Sequence, residues 1–372
     1  MNVKIAHCAD VHLISEEIGD HKLYRNLLKA FRDMIDICSK EKVDILLIAG
    51  DLFDSSNIDS TTLSTIQSSL KNLDTRVFIS PGNHDYLSLD SPYLESSWPD
   101  NVKIFSPEVE IFPIEELNTT VYGVGFDGSF VNEFLFNEPI DIDHSMINIC
   151  ICHGDLVNTS GNSQYHPISK EDISRMGVDY LALGHIHKRS EMKKAGNTYY
   201  SYPGSLLGRG FDEIGSKGFY IGTISEQGIE FNFKEIDCPG FFIDRVDMTG
   251  VESEEEVYNK IYSQIKNNYK DYKDNSYRII LEGEIPSDFR VSWISIEDRL
   301  SDIFYYIKLI DKMKTPYNLE LLRQETSLKG VFTNKMLNKI DEANDENLKK
   351  VYERSLKYGL EAFEGEVRIN EY

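Results

Sequence analysis

The stretch ISPGNHDY, residues 79–86, closes a run of apolar, strand-forming residues (RVFIS, 76–80) with a Pro-Gly turn and then sets Asn83, His84 and Asp85 side by side. A turn uses one or two such residues. An amide, an imidazole and a carboxylate in a row, directly past a buried strand, also offer ligand and proton-transfer chemistry. The same pattern recurs along the chain. VKIAHCA (3–9) runs into Asp10 and His12, and DILLIAG (44–50) into Asp51. INICIC (147–152) delivers His153, and YLALG (180–184) delivers His185 and His187.

Two segments between the early strands, LYRNLLKAFRDMIDICSKEKV (23–43) and STTLSTIQSSLKNL (60–73), carry apolar residues at helical spacing. Strands alternating with helices predict parallel βαβ units. In such sheets, sites gather beyond the carboxyl ends of the strands, so these polar strand ends are expected to converge. Asp10, Asp51, Asn83, His12, His153, His185 and His187 form a mixed oxygen and nitrogen donor set. It is too large for one tetrahedral zinc and suits two borderline divalent metals such as Mn²⁺, Fe²⁺ or Zn²⁺. In Asp10-x-His12 and His185-x-His187 the alternate residues can point the same way past a strand. Any one of these short elements arises by chance; five of them at strand ends are a strong signal.

After residue 100 the sequence is richer in strands, with one clear helix (ISKEDISRM, 168–176). The expected architecture is α/β: a two-sheet sandwich flanked by helices over residues 1–238. DCPGFF (237–242) marks a boundary through its Pro-Gly. Beyond it, strand and helix signals predict a small α/β domain over 239–314, then a charged helical segment over 315–372. There, Leu337, Ile340, Leu348, Val351, Leu356, Leu360 and Phe363 form an apolar stripe.

At 41% hydrophobic residues, the 372-residue chain can build a substantial core. The first residues lack a signal-peptide h-region and no apolar run approaches the roughly 20 residues of a membrane span, so a cytoplasmic protein that does not enter a membrane is expected. The five cysteines form no CxxC or framework spacing, and Cys8, Cys150 and Cys152, in apolar strand-like runs, are expected to be buried, reduced thiols. The net charge is −23, with 36 acidic against 19 basic residues before residue 240. That excess opposes unassisted binding of nucleic acid, where Lys and Arg supply most of the affinity.

DVH, GDLFD, GNHD, CHGD and GHIH, in that order, resemble the signature of the calcineurin-like metallophosphoesterases over roughly residues 1–235. HCADVHL, LIAGDLFD, ALGHIHK and YPGSLLGRGFDEIGSKGFYIGTI resemble the SbcD/YhaO-type DNA repair exonuclease branch. The resemblance implies the metallophosphoesterase fold, with the small α/β module as a capping domain. It implies that Asp10, His12 and His187 hold one metal, that Asn83, His153 and His185 hold the other, and that Asp51 bridges them. The metals expected are manganese first, with iron, zinc or magnesium as alternatives. DNA is the implied substrate. A coiled-coil ATPase of the SbcC type, docked on the C-terminal helices, is the implied partner, and homodimerisation is a family expectation. A stand-alone phosphatase or small-molecule phosphodiesterase on the same scaffold is the alternative.

Two metals about 3.5–4 Å apart clamp a phosphoryl group and activate a bridging water as the hydroxide that attacks phosphorus. His84, beside Asn83, is the natural general acid or charge stabiliser at the leaving oxygen. Asp85 either orients His84 or closes an Asx turn. Arg209, on a Gly-flanked turn, either holds a substrate phosphate or pairs with Asp212 or Glu213. Asp54 stands where some nuclease relatives carry a histidine, so no histidine role carries over there. His7 is expected to be structural, His166 a solvated loop residue, and His21 and His144 surface residues.

Overall fold

Alternate residues of the central strands face different layers. The structure is a computed structural model that describes residues 2–363 except 18–19, 96, 138–141, 159–162, 226, 287–288, 290 and 315. Its strands in chain order are β1 (Asn2–Cys8), β2 (Ile45–Ile48), β3 (Arg76–Ile79), β4 (Val102–Ile104), β5 (Glu110–Ile114), β6 (Thr119–Gly123), β7 (Ile147–His153), β8 (Tyr180–Gly184), β9 (Lys193–Ala195), β10 (Thr198–Ser201), β11 (Gly218–Ser225), β12 (Gly228–Glu235), β13 (Phe241–Asp247), β14 (Ser276–Glu282) and β15 (Tyr306–Asp311). Its helices are α1 (His21–Glu41), α2 (Ser60–Lys71), α3 (Pro92–Glu95), α4 (Lys170–Met176), α5 (Glu254–Asn268), α6 (Trp293–Ser301), α7 (Leu319–Gln324), α8 (Leu328–Asp341) and α9 (Glu346–Phe363).

Two six-stranded sheets result, in the orders β12-β11-β1-β2-β3-β4 and β5-β6-β7-β8-β10-β9. β1 to β4 are parallel, as the βαβ pattern predicts, with β11 antiparallel on β1. In the second sheet β6, β7, β8 and β10 are parallel and the edge strands β5 and β9 antiparallel. Val3, Ile5, Ile45, Leu47, Ile149, Ile151, Tyr180 and Ala182 share one buried cluster between the sheets. Their neighbours Ala6, Cys8, Leu46 and Ile48 join Leu27, Phe31 and Met34 of α1. Cys150, Cys152, Leu181 and Leu183 join Ile173 and Met176 of α4. Strands covered on both faces read as unbroken apolar runs, which is why they were visible in the sequence.

Polar residues begin the helices and pin the layers. Asp20 and Asp59 cap α1 and α2 by accepting from the Lys22 and Thr62 N–H groups, and Ser169 with Asp172 closes a capping box on α4. His7 lies between the sheets, 2.7 Å from the Tyr180 hydroxyl and 3.2 Å from the Leu183 carbonyl, a structural role. All five cysteines are free, and four are buried.

At the carboxyl ends of the central strands the two sheets nearly touch. A Cβ on Gly184 would fall 1.6 Å from the Ala49 carbonyl oxygen, and one on Gly50 (φ 87°) would fall 2.1 Å from His153 Nδ1. Only glycine permits this approach. Gly184→Ala is therefore expected to lower the unfolding free energy by about 3 kcal/mol, the upper end for overpacking. Urea unfolding measures it; an unshifted midpoint would mean that the backbones separate at no cost.

The chain divides into two compact units, one comprising Met1–Asp244, Tyr269–Arg278 and Ser301–Lys308, the other Arg245–Asn268, Ile279–Leu300 and Leu309–Tyr372. The first carries both large sheets. β13, β14 and β15 form a third sheet. In the second unit, α7, α8 and α9 pack on one another through Leu322, Met336, Leu356 and Leu360, with Leu337 and Ile340 at the edge. Leu348, Val351 and Phe363 of the expected stripe are exposed.

Candidate metal centre

The seven donor residues meet at the carboxyl ends of β1, β2, β3, β7 and β8. Asp10 and His12 follow β1, Asp51 follows β2, Asn83 follows β3, His153 ends β7, and His185 and His187 follow β8. Asp51 stands in the middle, buried. Its Oδ2 lies 3.7 Å from His12 Nε2 on one side and 3.4 Å from His153 Nε2 on the other. On the first side, His12 Nε2 and His187 Nε2 face each other at 3.0 Å, with Asp10 Oδ1 3.9 Å from His187 Nε2. On the second side, Asn83 Oδ1 lies 3.0 Å from His153 Nε2 and 3.1 Å from His185 Nδ1. The donors thus fall into two groups sharing one carboxylate.

Four of these residues hold a backbone conformation that non-glycine residues rarely adopt: Asp10 (φ 51°), His12 (φ 50°), Asp51 (φ 52°) and His185 (φ 105°). Such strain costs on the order of 1–3 kcal/mol each and persists where surrounding structure enforces it. Here the Asp10 N–H donates to the Gly50 carbonyl, the His12 N–H to the Asp51 carbonyl, and the His185 N–H to Asp10 Oδ1.

The electrostatics call for positive charge. Asp10 and Asp51 are both about 1% exposed. Burial pushes the Asp10 carboxyl up, while His153 and His12 hold Asp51 below the usual range against its own burial. Burial pulls the His153 imidazole down, yet Asp51 and Asp10 beside it hold it up at about 10. The ring orientations point the same way. His153 Nδ1 donates to the Ala49 carbonyl (3.0 Å) and His187 Nδ1 to Glu213 Oε1 (2.8 Å), so each ring turns Nε2 towards the buried carboxylates. A lone pair aimed at a carboxylate needs a proton or a cation between them. The donor chemistry therefore fits divalent metal ions, with the outer nitrogens fixed as metal-bound histidines usually are.

The role of Glu213 at His187 escaped the sequence reading, which named it only as a possible partner of Arg209, because it lies in the loop after β10, at no recognisable spacing from any strand end. Burial raises its carboxyl, but the bond to His187 holds it down at about 2. Ser205 Oγ donates to its other oxygen, 3.1 Å away. Glu213→Ala is expected to weaken metal binding on the His12–His187 side by about 10–100-fold. Manganese titration followed by electron paramagnetic resonance reads this directly; unchanged affinity would remove Glu213 from the support of His187.

Three expectations need correction. Asp85 does not orient His84. Its Oδ1 accepts from the Gly82 N–H (2.7 Å) and its Oδ2 from the Phe53 N–H (3.1 Å) and the Tyr93 hydroxyl (2.5 Å), so it closes the turn that presents Asn83. Arg209 pairs neither with Asp212 nor with Glu213; its Nη1 lies 2.5 Å from Asp54 Oδ1, which is also 3.1 Å from His12 Nδ1. His166 is fully buried, with its ring among Phe126, Phe134 and Phe136 and its Nδ1 2.8 Å from the His153 carbonyl. His21 and His144 are exposed.

His84 sits at the open edge. Its N–H donates to Asp51 Oδ1 (2.9 Å), and its Nδ1 lies 3.1 Å from the Asp54 carbonyl oxygen. If Nδ1 donates to that carbonyl, Nε2 remains to exchange a proton with a ligand.

A buried pair of carboxylates with two flanking nitrogen-rich groups defines a dinuclear metal centre on an α/β sandwich. The family model for calcineurin-like phosphoesterases matches residues 3–189, half of the chain, and the chain belongs to that family. It is accordingly a metal-dependent hydrolase of ester bonds. It is 28% identical over 295 residues to the uncharacterized metallophosphoesterase YhaO of Bacillus subtilis (strain 168), covering 75% of this chain and 72% of that protein. The SbcD subunit of the nuclease SbcCD of Staphylococcus epidermidis is 23% identical over 304 residues, 73% of this chain and 78% of that protein. The DNA double-strand break repair protein Mre11 of Methanosarcina acetivorans is 25% identical over 313 residues, 80% of this chain and 48% of that protein.

Proposed function

We propose that this chain is a cytoplasmic DNA exonuclease, the nuclease subunit of a repair complex with a coiled-coil ATPase. The observation that carries its chemistry is Asp51 standing between two donor groups with His84 at their open edge. The choice of DNA is supported by the names of two relatives, a nuclease subunit and a break-repair protein. The acidic catalytic part, 36 acidic against 19 basic residues before residue 240, would then rely on a partner for basic surface. The same acidity favours a second reading, a phosphodiesterase of small molecules, for which it is no obstacle.

Asp10, His12 and His187 would hold one cation, Asn83, His153 and His185 the other, with Asp51 shared; manganese is the proposed ion. Bound there, the pair would supply Lewis-acid polarisation of a phosphoryl oxygen and a water nucleophile at neutral pH. The chain's own residues do the rest. His84, with Nδ1 on the Asp54 carbonyl, presents Nε2–H to the leaving oxygen and gives it a proton as the ester bond breaks. Arg209, steadied by Asp54, keeps guanidinium N–H groups for a substrate phosphate.

The test offers the protein with Mn²⁺ both linear DNA and bis-(p-nitrophenyl) phosphate, with and without an ATPase partner. Cleavage of both is expected. Turnover of the small diester with no DNA cleavage, even with the partner present, would replace this reading by the second one.

A further inference from the structure

Lysine is almost never buried without partners, yet Lys217 is only 8% exposed and the chemistry above does not use it. It stands immediately before β11. The antiparallel register that pairs His7 with Tyr220 lays the start of β11 beside the end of β1, which Asp10 and His12 follow. The Lys217 carbonyl accepts from the Ile236 N–H (2.9 Å), which ties its backbone to the end of β12. We propose that Lys217 is a positioning residue of the metal centre: it locks Glu213 against His187 and so sets the affinity for the cation on the His12–His187 side. The inference rests on the dinuclear reading above and adds to it the residue that fixes the support of His187.

An ammonium carries three N–H donors and no acceptor. Three oxygens around His187 face it. Lys217 Nζ lies 2.9 Å from Ser205 Oγ, 3.3 Å from the His187 carbonyl oxygen and 3.7 Å from Glu213 Oε2. Because the ammonium only donates, Ser205 Oγ accepts from it, and the one hydroxyl hydrogen of Ser205 is left for Glu213 Oε2, 3.1 Å away. Glu213 Oε1 accepts from His187 Nδ1 at 2.8 Å. The bonds thus order Ser205, Glu213 and His187 from one fixed charge and leave His187 Nε2 facing His12 and Asp10.

The backbone closes the same unit. The Ser205 N–H donates to the His187 carbonyl (3.1 Å), and Ser205 pairs with Ala9, the residue before Asp10. A Cβ on Gly208 would fall 2.8 Å from the Glu213 carbonyl oxygen and 3.3 Å from Lys217 Cε, so the loop after β10 folds directly over the lysine stem. Charge supplies the rest. Asp10, Asp51 and Glu213 bring three carboxylates to this end of the sheets, and Lys217 offsets the one that is not a metal donor. Removing one partner of a buried pair leaves the other uncompensated. Without the ammonium, Glu213 would turn towards water or take up a proton, and His187 would lose its fixed orientation.

Manganese titration of the full chain, read by electron paramagnetic resonance, tests the inference on Lys217→Met, Glu213→Ala and the double variant. Methionine keeps an unbranched apolar stem and removes the charge. The wild type is expected to give the spin-coupled signal of two neighbouring ions. In Lys217→Met that signal should need about 10-fold more manganese, while the uncoupled signal of one bound ion appears at the wild-type concentration. In a Glu213→Ala background, Lys217→Met should cost no further affinity, because the lysine acts through the carboxylate already removed. A lysine that only props up the fold would add its loss in both backgrounds. That result, equal weakening of both ions, or an unchanged titration would each overturn the inference and leave the dinuclear centre standing. A wild type that binds no pair of ions would overturn both. If circular dichroism shows that Lys217→Met does not fold, Lys217→Gln, uncharged and still a donor, is titrated with the same expectation.

Discussion

Asp51→Asn is expected to lower kcat/KM for bis-(p-nitrophenyl) phosphate by about 10³-fold, or about 4 kcal/mol at 1.36 kcal/mol per tenfold, and to reduce bound metal below two per chain. Asparagine is nearly isosteric, so the packing around β2 should persist. What disappears is the negative charge whose Oδ2 lies within 3.7 Å of His12 Nε2 and 3.4 Å of His153 Nε2. Without it, neither donor group has the carboxylate they share, and the electrostatic support that a metal pair gives to phosphoryl transfer is worth several kcal/mol. The His84 N–H would still find an amide oxygen in the place of Asp51 Oδ1. Metal stoichiometry by mass spectrometry, beside steady-state kinetics, separates this from unfolding. A variant that binds two ions and turns over normally would show that Asp51 is not the shared ligand.

His84→Ala is expected to lower kcat by about 10²–10⁴-fold, the usual range for loss of a positioned acid, with two ions still bound. His84 is the most exposed imidazole of the site, and none of the donor contacts around Asp51 Oδ2 depends on its ring. Its ring packs edge-on to His12 at 4.8 Å, so a small change in affinity on that side is also expected. A substrate whose leaving group needs no proton, such as p-nitrophenolate, should suffer least, and one with an alkoxide leaving group most. Equal activity of variant and wild type on both would take His84 out of the proton transfer.

The strands and the donors at their ends were legible because both are local. β1, β2, β3, β7 and β8 are buried on both faces and so read as short apolar runs, and each run ends at the residue the site uses. The supporting shell was not legible. Glu213 reaches His187 from 26 positions away, and Arg209 reaches Asp54 from 155 positions away. Sheet packing makes these pairs, and no periodicity records them. Asp85 read ambiguously because its neighbour His84 was the nearest partner in sequence, whereas its actual partners include Phe53, on the loop after β2. His166 read as a solvated loop residue because NTSGNSQYHP is polar; the phenyl rings that bury it come from another loop. β9, Lys193–Ala195, is a short, largely exposed edge strand and left no apolar run to find. Within the helical segment expected over 315–372, α7 and α8 separate where Ser327 caps α8 by accepting from the Gly330 N–H.

Anomalous diffraction from a crystal grown with manganese tests the dinuclear centre most directly. Two peaks are expected, one among Asp10, His12 and His187 and the other among Asn83, His153 and His185, with the Asp51 carboxylate between them. A single peak, or two that leave Asp51 unshared, would contradict it.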